Sequence, residues 1–132
     1  MLLIPTRVQP SAIHGLGLFA AEAVPRGTPI WRFEPLLDRE LTPAQAGALP
    51  PVARAHLRRF GYVSRQTGRI VLAGDHACFM NHSATPNTGA PGQAAEPVTT
   101  VALRDIRAGE ELTCNYYEFD ADVAWKLGEN PA

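Results

Sequence analysis

The sequence contains only two cysteines, Cys78 and Cys114, which lie far apart and match no Cys-x-x-Cys or Cys/His zinc spacing. No disulfide framework or zinc site is therefore expected, and this use of cysteine is typical of a reduced, cytoplasmic protein. Charged residues make up only 19% of the chain, and the formal net charge is -1. The sequence thus lacks the basic excess that a general nucleic-acid binder would carry.

Long apolar runs are also absent. No stretch approaches the roughly 18 apolar residues that would span a membrane. Residues 1–4 are apolar, but Pro5 interrupts them, and the charged start and long apolar core of a signal peptide are missing. We expect neither a membrane segment nor a signal peptide. Repeats, low-complexity tracts and interior linkers are not found, so the 132 residues should form one domain, long enough to bury about two-thirds of its unfolded surface.

What the sequence does have is proline and glycine, 12 and 11 residues spread along its whole length. They divide the chain into short pieces and exclude a helical bundle, so the sequence predicts a mostly β fold with a few short helices. Strands are expected at 7–9 and 29–34, in a hairpin of 61–63 with 70–72, and in a pair of 97–103 with 111–115 across a turn at 107–110. Helices are expected at 43–49, at 51–60 with Val52, His56 and Phe60 on one side, and at 121–128.

The segment 78–87, with the sequence CFMNHSATPN, combines bulky apolar residues with amide and imidazole groups. Buried polar groups cost about 1–3 kcal/mol each unless they are hydrogen-bonded. Either the fold or a ligand must therefore bond them. A simple turn is the alternative, because asparagine, serine and proline are common turn residues.

Three motifs follow one another along the chain: HGLGLF at 14–19, NHS and PN within 81–87, and GEELTCNY at 109–116. Singly each is weak, since a Gly-x-Gly pair is usually a tight turn. Their order resembles that of the SET-domain protein-lysine methyltransferases, over about residues 7–117. The resemblance implies several small, mostly antiparallel sheets, with the NHS segment and the closing tyrosine segment threaded past each other in a knot-like crossing that forms the active site.

The resemblance also implies a function, the transfer of methyl groups from S-adenosylmethionine to the side-chain amine of lysine in a protein substrate. It implies no direct binding of nucleic acid or membrane, and the sequence does not decide whether two chains pair as a homodimer. Tyr116 is the expected catalytic residue, aligning the amine with the methyl group rather than acting as a strong base. The alternative for Tyr116 is a buried tyrosine at a strand end with a bonded hydroxyl.

Cofactor binding is expected of the loop with the two glycines, of the NHS segment and of a tryptophan in the tail. Glycines would let the backbone approach a ligand closely, although they also turn a chain. Trp125 would act as a lid, with simple packing as the alternative. His56 and His76 are expected to be surface or core histidines, and the four histidines do not make a metal site. The expected cofactor-binding residues are His14, Gly15, Leu16, Gly17, Leu18, Phe79, Asn81, His82, Tyr116 and Trp125.

Tyr62, Cys114 and Tyr117 are the expected substrate-binding residues. In the family the residue two before the catalytic tyrosine often limits methylation when it is tyrosine, so the small Cys114 should allow more than one methyl group. The alternative is that Tyr62 or Tyr117 supplies the missing hydroxyl from another side and limits methylation. The insert at 36–71 reads the substrate in the family. Its arginines could favour an acidic neighbourhood around the target lysine, or could simply be solvated.

Some positions depart from the family. Cys78 and Asn115 stand where arginine and aspartate are frequent, and Ala84 stands where zinc-binding members carry cysteine. No metal is therefore expected, and the short tail, 117–132, has to cover the cofactor. This short tail also supports the alternative hypothesis, a SET-like binding module that does not transfer methyl groups.

Overall fold

The computed structural model describes residues 1–93 and 98–129. Within these ranges the chain forms short strands, three short α-helices, and 3₁₀ turns at His76–Phe79 and Tyr116–Glu118. Among the residues that the structure describes, no helix is long and apolar enough to cross a membrane. The α-helices are α1 (Pro43–Gly47), α2 (Pro51–Phe60) and α3 (Val123–Lys126). The strands are β1 (Thr6–Pro10), β2 (Leu16–Ala20), β3 (Pro29–Arg32), β4 (Arg39–Leu41), β5 (Tyr62–Val63), β6 (Ile70–Leu72), β7 (Asn81–His82), β8 (Thr88–Gly89), β9 (Thr99–Ala102) and β10 (Thr113–Cys114).

The described strands form four small sheets. β1 pairs with β2, β3 with β9 and β9 with β8, and β4 and β5 both pair with β6, all antiparallel. The fourth sheet joins β7 and β10 in parallel. The predicted fold of several small, mostly antiparallel sheets with a few short helices is confirmed.

The local signals for α1 act as predicted. The Thr42 hydroxyl accepts a hydrogen bond from the backbone N–H of Gln45, and the Gln45 side chain accepts one from the N–H of Thr42. This reciprocal cap bonds the N–H groups of Thr42 and Gln45, and Pro43 in the first turn has no N–H that would need a partner. The hairpin of β5 with β6 also forms as predicted.

The helix α2 has the predicted bounds but turns a different side to the protein. Leu57 is its buried residue, whereas Val52 is 84% exposed. His56 and Phe60 do lie together, with their ring centroids 4.9 Å apart. The apolar residues of this helix therefore do not all contribute to the core, and its arginines surround a single buried leucine.

The predicted pairing of 97–103 with 111–115 is wrong. β9 lies between β3 and β8, and β10 pairs with β7. The turn at Gly109 instead returns the chain to β2, where Gly109 donates to the carbonyl of Ala20 and Leu112 donates to that of Leu18, both at 2.7 Å. Strand pairing depends on how side chains pack against their neighbours, so a strand need not pair with the segment nearest to it in sequence. Of the predicted strand, residue 97 lies outside the described residues.

The core lies where β2, β3 and β9 meet the segment that enters β10. Its fully buried side chains are those of Leu18, Ile30, Ile106 and Leu112. Leu18 and Leu112 come from the glycine-containing strand and the closing motif, which places these two motifs side by side. Packing of this core therefore holds the two ends of the site together.

Asp38 is a buried carboxylate that joins three segments. It accepts hydrogen bonds from the amino group of Met1 at 2.7 Å, from the N–H of Glu34 at 2.8 Å and from the N–H of Gly74 at 2.9 Å. Burial by itself opposes the charge, but these donors together hold the pKa of Asp38 below its usual value. The fold thus keeps this carboxylate ionised at neutral pH.

Candidate active site

The closing strand β10 is held between two parts of the segment 81–88. On one side β7 pairs with it in parallel. On the other side the Asn87 side chain accepts from the N–H of Thr113 at 2.9 Å and donates to the carbonyl of Glu111 at 2.8 Å, while the Thr88 hydroxyl donates to the Thr113 carbonyl. Residues 81–88 therefore wrap around β10, and Asn87 does more than form a turn.

The side chain of Asn81 connects this crossing to the glycine-containing loop. Its amide nitrogen lies 3.1 Å from the carbonyl oxygen of His14, 3.2 Å from that of Leu16 and 2.9 Å from Oε2 of Glu111. Asn81 is buried. The amide nitrogen of Asn81 thus finds partners within the fold, as the cost of burying it requires.

Glu111 completes the attachment of the loop. The Ser11 hydroxyl lies 2.7 and 2.8 Å from the two carboxylate oxygens of Glu111, and it accepts from the N–H of Ile13 at 2.9 Å. A Cβ on Gly17 would lie 2.5 Å from Oε2 of Glu111. A side chain at this position would therefore displace the Glu111 carboxylate from its partners.

Gly15 requires glycine for a different reason. Its φ is 47°, in the left-handed region that side chains rarely adopt. A Cβ at this position would meet no atom within 4 Å, and His14, Gly15 and Leu16 are exposed. The loop thus presents its backbone to open space at Gly15.

His82 lies beside the tyrosines of the closing motif. Its Nδ1 accepts a hydrogen bond from the N–H of Tyr116 at 3.1 Å, and its ring centroid is 5.4 Å from that of Tyr116 and 5.5 Å from that of Tyr117. In the neutral imidazole this bond puts the proton on Nε2. The imidazole thereby fixes the backbone at the start of the turn Tyr116–Glu118.

The hydroxyl of Tyr116 donates to the carbonyl of Met80 at 2.7 Å. Burial raises the pKa of the Tyr116 hydroxyl well above its usual value. The phenol is therefore protonated at any physiological pH. It can hold and orient a polar group, but it cannot serve as a strong base.

Comparison with known proteins agrees with this geometry. The family model of the SET domain matches residues 15–117. The chain belongs to the SET-domain family. No curated protein matches it significantly.

Two solved structures share the fold of this SET domain. A Plasmodium falciparum protein described as a candidate histone methyltransferase superposes with a TM-score of 0.60 at 18% identity, over 87% of this chain and 95% of the other. The second structure is a humanized mutant of Polycomb Repressive Complex 2 from Chaetomium thermophilum, bound to an inhibitor. It superposes with a TM-score of 0.65 at 23% sequence identity. That match covers 92% of this chain but only 16% of the other chain.

Cys114 lies two residues before Tyr116 and is buried in the SET-domain core. Burial raises the pKa of the Cys114 thiol to about 12, so the thiol is neutral at physiological pH. The half-buried Cys78 also has a raised pKa, chiefly because of burial. Both cysteines are free thiols and neither is activated as a nucleophile.

An aromatic row extends from Tyr116. The ring of Phe119 lies 6.0 Å from that of Tyr116, and the ring of Tyr62 lies 5.0 Å from that of Phe119. Two of the predicted substrate-binding residues, Cys114 and Tyr62, therefore lie close to or in contact with this row. The third, Tyr117, is exposed and donates its hydroxyl to Glu129 at 2.5 Å.

Three of the predicted cofactor-binding residues have side chains that pack against other parts of the protein, away from the open space beside Gly15. The side chain of Leu18 is in the core, so only its backbone can face a ligand. Phe79 packs edge-on against Phe60, with centroids 5.9 Å apart. Trp125 lies under the guanidinium of Arg58, whose carbon is 4.0 Å from the ring centroid. This stacking accounts for the tryptophan by packing alone, and its action as a lid stays a prediction.

The sequence pattern does not single out Ser11, Glu111 or Met80 as site residues, although each bonds one that it does. Glu111 belongs to the Glu-Leu-Thr motif, and this membership was the signal that the sequence offered for it. Ser11 and the carbonyl of Met80 have no signature of their own. Among residues 1–93 and 98–129, no three histidine, cysteine or acidic side chains form a metal cluster.

Proposed function

We propose that this SET domain transfers methyl groups from S-adenosylmethionine to the side-chain amine of a lysine in a protein substrate. The observation that carries the proposal is the position of Tyr116, a protonated phenol at the strand crossing, next to the loop that Asn81 pins. The structural neighbour that is described as a candidate histone methyltransferase supports the same class of activity.

The loop fits the cofactor in the respect that the structure describes. Open space lies beside Gly15, where a ligand can approach the backbone closely. The loop is pre-ordered, because its carbonyls at His14 and Leu16 accept from Asn81 and that of Gly15 accepts from the N–H of Ser11. His82 offers Nε2 on the same strand as Asn81. We assign cofactor binding to this loop backbone and to the NHS segment. When bound, S-adenosylmethionine supplies a methyl group carried on a sulfonium cation.

The protein must also hold a neutral lysine amine. Free lysine has a pKa near 10.4, so neutralising it at pH 7 costs about 4–5 kcal/mol in water. The aromatic row of Tyr62, Phe119 and Tyr116 offers an apolar surface, and desolvation lowers the pKa of an amine. The hydroxyl of Tyr116 donates to Met80, which leaves its oxygen free to accept a hydrogen bond from the amine. Tyr116 thereby orients the amine, and orientation supplies much of the rate.

The proposal is tested by calorimetry with S-adenosylmethionine and by transfer of a labelled methyl group into the proteins of a cell lysate. We expect binding, and labelled lysine in the digested product. Tyr116→Phe should lower the rate of transfer by about 100-fold or more while cofactor affinity changes only a few-fold. Equal rates for the variant and the parent would remove the role of Tyr116.

The same experiment separates the enzyme from the alternative. A binding module would give heat on addition of the cofactor and no label in any lysate protein. The product must also be identified as methyl-lysine by mass spectrometry, because label on another residue would contradict the assigned substrate. A reaction without the SET domain provides the background.

A further inference from the structure

A cavity of about 180 Å³ lies beside the candidate site, between α1, α2, the hairpin of β5 with β6, and the start of α3. Leu57, Val63 and Ile70 provide apolar walls, and the ring of Tyr62 lines it as well. Through Tyr62 and Phe119 the cavity is two aromatic contacts away from Tyr116. The ring of Tyr62 is therefore shared by the cavity and by the aromatic row that leads to Tyr116.

Two of the three basic residues that line the cavity already have acidic partners. Arg58 binds Asp122 through two hydrogen bonds, of 2.8 and 3.2 Å. The ammonium of Lys126 lies 2.9 Å from the buried carboxylate of Asp120 and also donates to the carbonyl of Gly61. These two pairs are internally neutralised and offer little to a ligand.

Arg54 is different. Its side chain lines the same cavity and is exposed, and within the described part of the chain no carboxylate lies at ion-pair distance from it. The cavity thus carries one positive charge without compensation, next to apolar walls. A guanidinium in such a place favours a carboxylate, which it can bind through two parallel hydrogen bonds.

We infer that this cavity binds an acidic side chain of the protein substrate, with Arg54 as its ion-pair partner. The inference rests on the proposed function, since it places the target lysine at Tyr116. A glutamate fits better than a free anion, because its two methylene groups can contact Leu57 and Ile70 while its carboxylate meets Arg54. An extended peptide rises about 3.3 Å per residue, so peptides that carry the acidic residue at successive offsets from the lysine sample successive distances from Tyr116.

The test uses a set of lysine-centred peptides with glutamate at one position, from four residues before the lysine to four after it, each matched by a glutamine peptide. Binding to the whole protein is measured by fluorescence anisotropy, and methyl transfer by mass spectrometry. At one offset the glutamate peptide should bind about five- to tenfold more tightly than its glutamine match. Arg54→Gln should abolish that preference. Arg54→Glu should instead prefer a peptide that carries a second lysine in place of the glutamate at the same offset.

Arg26→Glu is the matched control. Arg26 is exposed in the turn between β2 and β3, away from the cavity. Arg26→Glu changes the net charge by the same amount as Arg54→Glu. It should keep the glutamate preference. Melting curves of all variants report whether they are folded, which is expected because both arginines are exposed.

The outcomes separate this inference from the proposed function. The inference alone is overturned if methyl transfer occurs without a glutamate preference. It is also overturned if Arg54→Glu leaves the preference intact, or if Arg26→Glu removes it equally. An Arg54-dependent preference in binding with no transfer by the parent supports the cavity and overturns the proposed function. Failure of every peptide to bind overturns the inference.

Discussion

Replacing Gly17 with alanine should destabilise the protein through Glu111. The new Cβ would lie 2.5 Å from Oε2 and 2.9 Å from Cδ of Glu111, and 3.0 Å from Cβ of Ser11. These distances are shorter than nonbonded atoms adopt. The carboxylate can relieve them only by moving, which breaks its bonds with the Ser11 hydroxyl at 2.7 Å and the Asn81 amide at 2.9 Å.

The expected loss follows from those bonds. A hydrogen bond to a charged group contributes about 1.5–3 kcal/mol. Glu111 is only half-buried, so water replaces part of what is lost, and the free energy of unfolding should fall by about 2–4 kcal/mol. That is a large share of the roughly 5–15 kcal/mol that stabilises a typical domain. Urea denaturation followed by tryptophan fluorescence measures it as a lower midpoint with an unchanged slope.

Gly15→Ala and a double variant test the reasoning. Gly15→Ala creates left-handed strain but no steric clash, so it should cost only about 1–2 kcal/mol. In Gly17→Ala combined with Glu111→Ala the clash with Glu111 is gone and only the 3.0 Å contact with Ser11 stays, so the double variant should lose at least about 1 kcal/mol less than the sum of the single losses. Additive losses would show that Gly17 is not required by Glu111.

Three further predictions concern the buried carboxylate of Asp38 and the thiol of Cys114, which lies beside Tyr116. Asp38→Asn should destabilise the protein by about 2–4 kcal/mol at pH 7, because it removes the charge that three donors surround. Folding lowers the pKa of Asp38, so its contribution to the free energy of unfolding is complete above the unfolded pKa near 3.9 and is lost as pH falls from there through the folded pKa. In urea titrations the free energy of unfolding of Asp38→Asn should therefore decline less steeply between pH 5 and pH 2 than that of the parent. With a pKa of about 12, native Cys114 should react with iodoacetamide at pH 8 far more slowly than in urea, since its thiolate fraction is about 1000-fold lower than that of a thiol at the usual value; equal labelling of both states in peptide mapping would contradict this. If the small Cys114 leaves room beside the amine, mass spectrometry should detect di- or trimethyl-lysine from the parent and mainly monomethyl-lysine from Cys114→Tyr, whereas a monomethyl product from the parent with excess cofactor would show that the site is closed.

The sequence alone was enough for features that depend on near neighbours. Thr42, Pro43 and Gln45 specify the start of α1 because a capping box involves residues three apart. The spread of proline and glycine determines that the elements are short, and the three motifs in order identify the family. The position of Tyr116 in the chain follows from the last of these motifs.

Only the tertiary structure decided which distant groups meet. Ser11 and Glu111 bond each other across 100 residues of chain, and Asn87 bonds Thr113 across 26. β10 pairs with β7 rather than β9 at the crossing that the family resemblance implied, and no short-range pattern in the sequence encodes that pairing. Whether Arg54 or Arg58 keeps a free charge likewise depends on where Asp122 comes to lie. A hydrogen bond or ion pair is a property of the distance between two groups, and for groups far apart in sequence only the packed core sets that distance.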